Sequence, residues 1–136
     1  MSSTGSATLA RAYIEAVGRR DLAELDSLFS DQLVATFVGT NSTKSEWIRA
    51  LHRLLPVLER NNILEVFDNG DRACVVYDFV TTTPAGAVRC VELVTAEGGV
   101  ITAIELLLDR VAFAPVNAAL QERAGADRSP TLGGHS

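Results

Sequence analysis

The sequence predicts an α+β domain in which a curved antiparallel sheet lies over N-terminal helices. Three observations carry this. Between Ala7 and Leu55 apolar residues recur at helical spacing, broken by one short strand-like run. From Arg72 to Asp109 runs rich in β-branched and aromatic residues alternate with turn residues at regular intervals. No helix-length segment separates those later runs, so they form a meander and not a βαβ unit.

Taken in order, residues 1–6 are small and polar and read as a flexible N-terminus. Leu9, Ala12, Tyr13, Ala16 and Val17 then share one helical face, which ends at Gly18 and Arg19-Arg20. Asp21, followed by Glu24, is a capping-box-like start for a second helix buried through Leu22, Leu25, Leu28 and Phe29. Leu33 to Val38 reads as the first strand. Thr43-x-x-Glu46 opens a third helix that carries Trp47, Ile48, Leu51, Leu54 and Leu55 and stops before Pro56. Ile63 to Phe67 is strand-like, and Asp68-Asn69-Gly70-Asp71 is a hairpin turn into the meander. After Asp109 the chain leaves the sheet, with one or two helical turns expected over Val116 to Arg123. Residues 7–123 thus form a single domain, and 124–136 is expected to be a disordered tail.

The turns set an expected register. Tight turns at Thr83-Pro84-Ala85-Gly86 and at Ala96-Glu97-Gly98-Gly99 place Val80 opposite Arg89, Asp78 opposite Val91, and Val91 opposite Ile104. Alternation then gathers Val76, Asp78, Val80, Arg89, Val91, Leu93, Thr102, Ile104, Leu106 and Leu108 on one face. That face reads as an apolar pocket containing one acid and one base. The other face, with Tyr77, Phe79, Cys90, Glu92, Ala103, Glu105 and Leu107, is too apolar for water and too acidic for a core. A sheet-to-sheet homodimer fits that mixture. Cys74 and Cys90 fall on opposite faces in this register and are expected to be free thiols.

Composition narrows the partners. The 136 residues suffice to bury roughly 70% of the unfolded surface in one core. Twelve basic against seventeen acidic residues give a net charge of −5 with no basic stripe, which disfavours nucleic acid and anionic membrane. No apolar run approaches the ~18 residues of a membrane span and no signal-like segment opens the chain, so the expected location is the cytoplasm. No spacing of Cys, His and carboxylate suggests a metal, and no cofactor is expected.

The element order, together with Tyr13-Ile14-Glu15-Ala16, Arg20-Asp21-Leu22, Leu28-Phe29-Ser30-Asp31, Val76-Tyr77-Asp78-Phe79, Gly98-Gly99-Val100-Ile101 and Leu108-Asp109, resembles the SnoaL-like branch of the nuclear transport factor 2-like superfamily over roughly Ala7 to Val116. The resemblance implies a cone of curved sheet wrapped over three helices. It also implies a choice among ketosteroid isomerases, polyketide cyclases, epoxide hydrolases, dehydratases and non-catalytic binders, because fold does not fix function. Tyr13 matches the oxyanion-binding tyrosine of the isomerase pattern, but Phe37 stands at the base position and Val91 at the second aspartate position. The Asp-Arg-Asp set of limonene-epoxide-hydrolase-like members is incomplete, since Arg89 is followed two residues on by Val91. The acid that SnoaL cyclases carry on the last strand is replaced by Ile104, Leu106 and Leu108.

The expected catalytic residues are therefore Asp78, Arg89 and Tyr13, with Trp47, His52, Phe37, Val76, Val91, Ile104 and Leu106 as ligand-binding wall. Asp78 and Arg89 have two readings: a structural ion pair, or a carboxylate that moves a proton beside a guanidinium that steadies an oxyanion. Tyr13 completes an apolar stripe and could equally be core, and His52 could equally sit at the rim. Two functions stay open: a cofactor-independent isomerase, cyclase or epoxide hydrolase acting on a small hydrophobic oxygenated molecule, or a non-catalytic binding or accessory protein.

Overall fold

In the computed structural model, which describes residues 5–128, the chain begins with a helix that the rest of the molecule wraps. The helix α1 (Ser6–Gly18) buries Leu9, Ala10, Tyr13, Ile14, Ala16 and Val17. Ser6, expected in the flexible N-terminus, is instead helical and buried, its hydroxyl donating to the Gly70 carbonyl at 2.8 Å. Residues 1–4 of that expected segment lie outside the described residues. Asp21 caps α2 (Leu22–Leu28) by accepting from the Glu24 amide. The strand β1 (Phe29–Phe37) starts directly after it, four residues earlier than alternation indicated, and turns back through β2 (Thr40–Ser42). Thr43 and Glu46 form the full reciprocal capping box on α3 (Lys44–Leu54). As Pro56 requires, α3 gives way to a 3₁₀ turn, Leu55–Val57.

The sheet follows as β3 (Leu58–Asn69), β4 (Arg72–Thr81), β5 (Ala87–Glu97) and β6 (Val100–Leu108), in the order β2-β1-β6-β5-β4-β3. Only β1 and β6 run parallel. This is a six-stranded, curved, unclosed sheet over helices, the α+β architecture that the sequence predicts. A fourth helix, α4 (Arg110–Arg128), is the last described element and is much longer than the one or two turns expected. Residues 124–128 of the expected tail are helical, and residues 129–136 lie outside the described residues.

The register corrects the sequence reading, and the correction decides the site. The Thr83-Pro84-Ala85-Gly86 turn forms, with the Gly86 amide donating to the Thr83 carbonyl at 3.0 Å. It sits, however, inside a longer loop closed by Thr81 and Gly86, because the Thr82 amide is taken by the Val57 carbonyl. Asp78 therefore faces Arg89, and Val80 faces Ala87. A shift of two residues leaves the faces unchanged.

The next hairpin does not. Gly98 and Gly99 both have positive φ, +61° and +82°, as a two-residue type I′ turn demands, so Glu97 pairs with Val100 and Ala96 with Ile101. Thr102 is then an unpaired bulge residue, and the pairing resumes as Thr95 with Ala103 and Val94 with Ile104. That extra residue flips the faces. Ile101, Ile104, Leu106 and Leu108 share the inner face with Cys90, Glu92 and Val94, not with Arg89, Val91 and Leu93.

Candidate active site

The inner face is completed on β4 by Ala73, Val75, Tyr77 and Phe79, each buried against the helices. The expected pocket residues Asp78, Arg89, Val76 and Val91 consequently lie on the outer face. There Arg89 Nε donates to Asp78 Oδ1 at 2.5 Å, with the arginine side chain 61% exposed. The neighbouring carboxylate raises the arginine's proton affinity further through this hydrogen bond and its charge. Arg89 reaches water there and pairs with Asp78, whose side chain is 20% exposed, whereas inside the sheet both charges would need full desolvation. Of the residues expected on the opposite, dimer-forming face, Tyr77, Phe79, Cys90 and Glu92 point inward instead.

Between the helices and this inner face lies a cavity of about 200 Å³. Of the expected residues, Tyr13, Trp47, Phe37 and Leu106 line it. Ile104 is on the same face but is sealed in the core at 2% exposure and does not line the cavity. His52 is exposed on α3 and borders a separate shallow groove beside Lys44, which bridges Asp26 and Asp31 at 3.2 Å each. Phe113, Asn117 and Leu120 of α4 also line the cavity, and Phe113 lies before the start of the short helix expected at Val116.

Glu92 is the residue that sequence reasoning missed. It is 2% exposed, lines the cavity, and has both oxygens engaged. Tyr13 Oη donates to Oε1 at 2.7 Å, Tyr77 Oη donates to Oε2, and Trp47 Nε1 donates to Tyr13 Oη at 3.1 Å. Burial lifts the carboxyl to about 7, against the opposing pull of the two tyrosine hydroxyls. Both tyrosines are held well above their ordinary range by burial first and by the Glu92 charge second, so they stay protonated donors. Burial also pushes the adjacent Cys90 thiol up to about 12, which makes it a packed and unreactive group. Cys74 and Cys90 are free, as expected.

The arrangement is a titratable carboxyl, poised near neutrality, at the wall of an apolar chamber and held in one orientation by three aromatic side chains from α1, β4 and α3. Such a group can take a proton from a bound molecule and return it. Two signals for it stood in the sequence. The run Val100-Ile-Thr-Ala-Ile104 has apolar residues three apart inside a strand, which marks a bulge. Glu92 is also the single acid among the apolar residues of its alternating set on β5. Among the described residues no group of three or more His, Cys, Asp or Glu side chains could hold a metal ion, and no helix is long and apolar enough to cross a membrane.

Residues 10–104 match the SnoaL-like domain. Comparison with curated protein sequences gives no match. Among solved structures, a protein from Kribbella flavida superposes with a TM-score of 0.76 at 22% identity, covering 88% of this chain and 99% of its own. IdmH, a putative polyketide cyclase from Streptomyces antibioticus, gives 0.71 at 14% identity, covering 81% and 96%. A putative ketosteroid isomerase from Kribbella flavida gives 0.65 at 13%, covering 76% and 77%.

Proposed function

The chain belongs to the SnoaL-like domain family, and from that premise we propose that it is a cofactor-independent acid–base enzyme with Glu92 as its proton carrier. The observation that carries this reading is the buried Glu92 carboxyl, held by Tyr13 and Tyr77 at the cavity wall and poised at about 7. As carboxylate it removes a proton from a carbon activated by a neighbouring carbonyl. Once neutral, Glu92 is a weaker acceptor, which frees the Tyr13 and Tyr77 hydroxyls to donate to the developing enolate oxygen. The proton then returns at a second carbon, giving isomerisation with no change in redox state. Where the enolate carbon instead bonds to a second carbonyl carbon of the substrate, that carbonyl's oxygen takes the electron pair and the proton, and the ring closes.

The substrate is a compact hydrophobic carbonyl compound. The cavity, about 200 Å³, is below the roughly 300–1,000 Å³ of common ligand pockets and lined mainly by aromatic and aliphatic side chains. Mass-spectrometric turnover over a panel of small enones, epoxides and β-dicarbonyl compounds tests the proposal. Product from the wild type that disappears with folded Glu92→Gln supports it. Thermal stabilisation by members of the panel without any product favours the non-catalytic binder.

We also propose that the outer sheet face pairs with a second copy of the chain. Val34, Leu64, Phe67 and Leu107 are each about half exposed there, and each would leave less apolar surface in water against a partner sheet. The Asp78–Arg89 pair on the same face is self-complementary across a twofold axis.

A further inference from the structure

Of the described residues that line the cavity, only Arg53 and Asn117 are exposed, so they mark where it opens to water. Glu92 and Arg53 are also the only charged side chains in that lining, and they stand at opposite depths: Glu92 is sealed at 2% exposure, whereas Arg53 reaches solvent. The helix α3 connects the two positions. Trp47 donates to the Tyr13 hydroxyl that holds Glu92, and Arg53 lies six residues further along α3, a rise of about 9 Å. Ala50, three residues from each, also lines the cavity, so the open space follows α3 from the buried carboxyl to Arg53. The two basic residues in the last turn of α3 diverge, His52 bordering the separate groove and Arg53 the cavity. Among the described residues Lys44, Arg60 and Arg89 each pair with a carboxylate, and Arg53 pairs with none.

We propose that Arg53 is a specificity-determining residue that receives a carboxylate of the substrate at the cavity mouth. The site then takes hydrophobic carbonyl compounds that carry an acidic group at the end away from the reacting carbon. This rests on the cavity being a small-molecule site and adds the substrate class, an oxo acid in place of a neutral ketone. Because Arg53 is exposed and its stem is flexible, the stem can lie along the apolar wall while the guanidinium swings over the opening in water. A single guanidinium matches one carboxylate through two parallel N–H···O bonds. No second cation lines the cavity to neutralise a phosphate dianion, and the Asn117 amide supplies a further donor at the rim. A cation in the last turn of α3 also favours the helix dipole, but that benefit is the same with or without a ligand, so discrimination between ligands separates the two roles.

Benzoate and benzamide have nearly the same shape and differ in charge, which makes them a suitable probe pair for NMR-detected titration. Below about pH 7 Glu92 is neutral and does not repel the anion. There the wild type is expected to bind benzoate about tenfold more tightly than benzamide. Arg53→Gln should lose that preference while keeping its benzamide affinity, and Arg53→Lys should keep part of it. Equal affinities in the wild type overturn the proposal. So does a preference that survives Arg53→Gln, and benzoate shifts at Lys44, Arg49 and His52 would then set the anion in the separate groove. Should Arg53→Gln fail to fold, the Arg53 Nε–H resonance of ¹⁵N-labelled wild type decides: benzoate must shift it well beyond what benzamide does. Because no turnover is read, failure of Glu92 as proton carrier leaves this result interpretable. Benzamide binding without a benzoate preference removes the Arg53 role alone, and binding of neither probe removes the cavity reading with it.

Discussion

Tyr13 on the first helix and Glu92 on the fifth strand, 79 positions apart in sequence, meet through a 2.7 Å hydrogen bond inside the protein. The bond ties the helix to the middle of the sheet and fixes the one carboxylate buried among the described residues.

Burial of Glu92 makes stability fall as pH rises. In the unfolded chain its carboxyl titrates near its ordinary value of roughly 4.3, and in the folded protein at about 7. The folded state therefore holds a proton that the unfolded state has released. The associated stabilisation is complete below the unfolded value and lost as pH rises through about 7, a difference of about 4 kcal/mol. Urea unfolding at pH 5 and pH 8 is expected to show this loss in the wild type. Glu92→Gln should be stable to the same degree at both values.

Catalysis has the opposite pH dependence. If Glu92 acts as base, kcat/KM rises with pH and levels off above about 7. Tyr13→Phe or Tyr77→Phe removes a donor from the carboxylate, which lifts its proton affinity further and moves the midpoint of the rate profile to higher pH. A midpoint that moves down, or stays fixed, in both variants would assign the titration to another group.

Tyr13→Phe has a second effect, on stability. Trp47 Nε1 loses its acceptor and stays buried without one, at a cost of about 1–3 kcal/mol. Replacing Trp47 by Phe in the same background should restore part of this loss, which a double-mutant cycle of unfolding free energies measures.

Deleting Thr102 tests the register. Without the bulge, Ile104, Leu106 and Leu108 would turn to the outer face, or Ile101 would. Either outcome removes large apolar side chains from the core. The deletion is expected to abolish cooperative thermal unfolding, while Thr102→Ala, which keeps the extra residue, leaves the transition in place.

The outer ion pair is expected to matter for assembly and not for chemistry. Asp78→Asn should retain wild-type turnover, since its carboxylate is on the far side of the sheet from the cavity. Asp78→Arg sets like charges together on the proposed twofold contact. Sedimentation velocity should show the wild type as a dimer and this variant shifted to monomer.

The sequence by itself determined the elements and their order. Helical periodicity, the Thr43–Glu46 capping box, Pro56 and the glycine turns are local signals that act within a few residues, and the helices and the meander follow from them. Free thiols at Cys74 and Cys90 followed from the alternation along β4 and β5, which a two-residue shift of register leaves unchanged. Only the tertiary structure decided which face of the sheet looks inward. Strand alternation has a period of two, so the single bulge residue Thr102 exchanges the faces of β6 relative to β5. A local reading thus set Asp78 and Arg89 in the pocket, whereas in the folded protein hydration holds that pair outside and the helices close over Glu92.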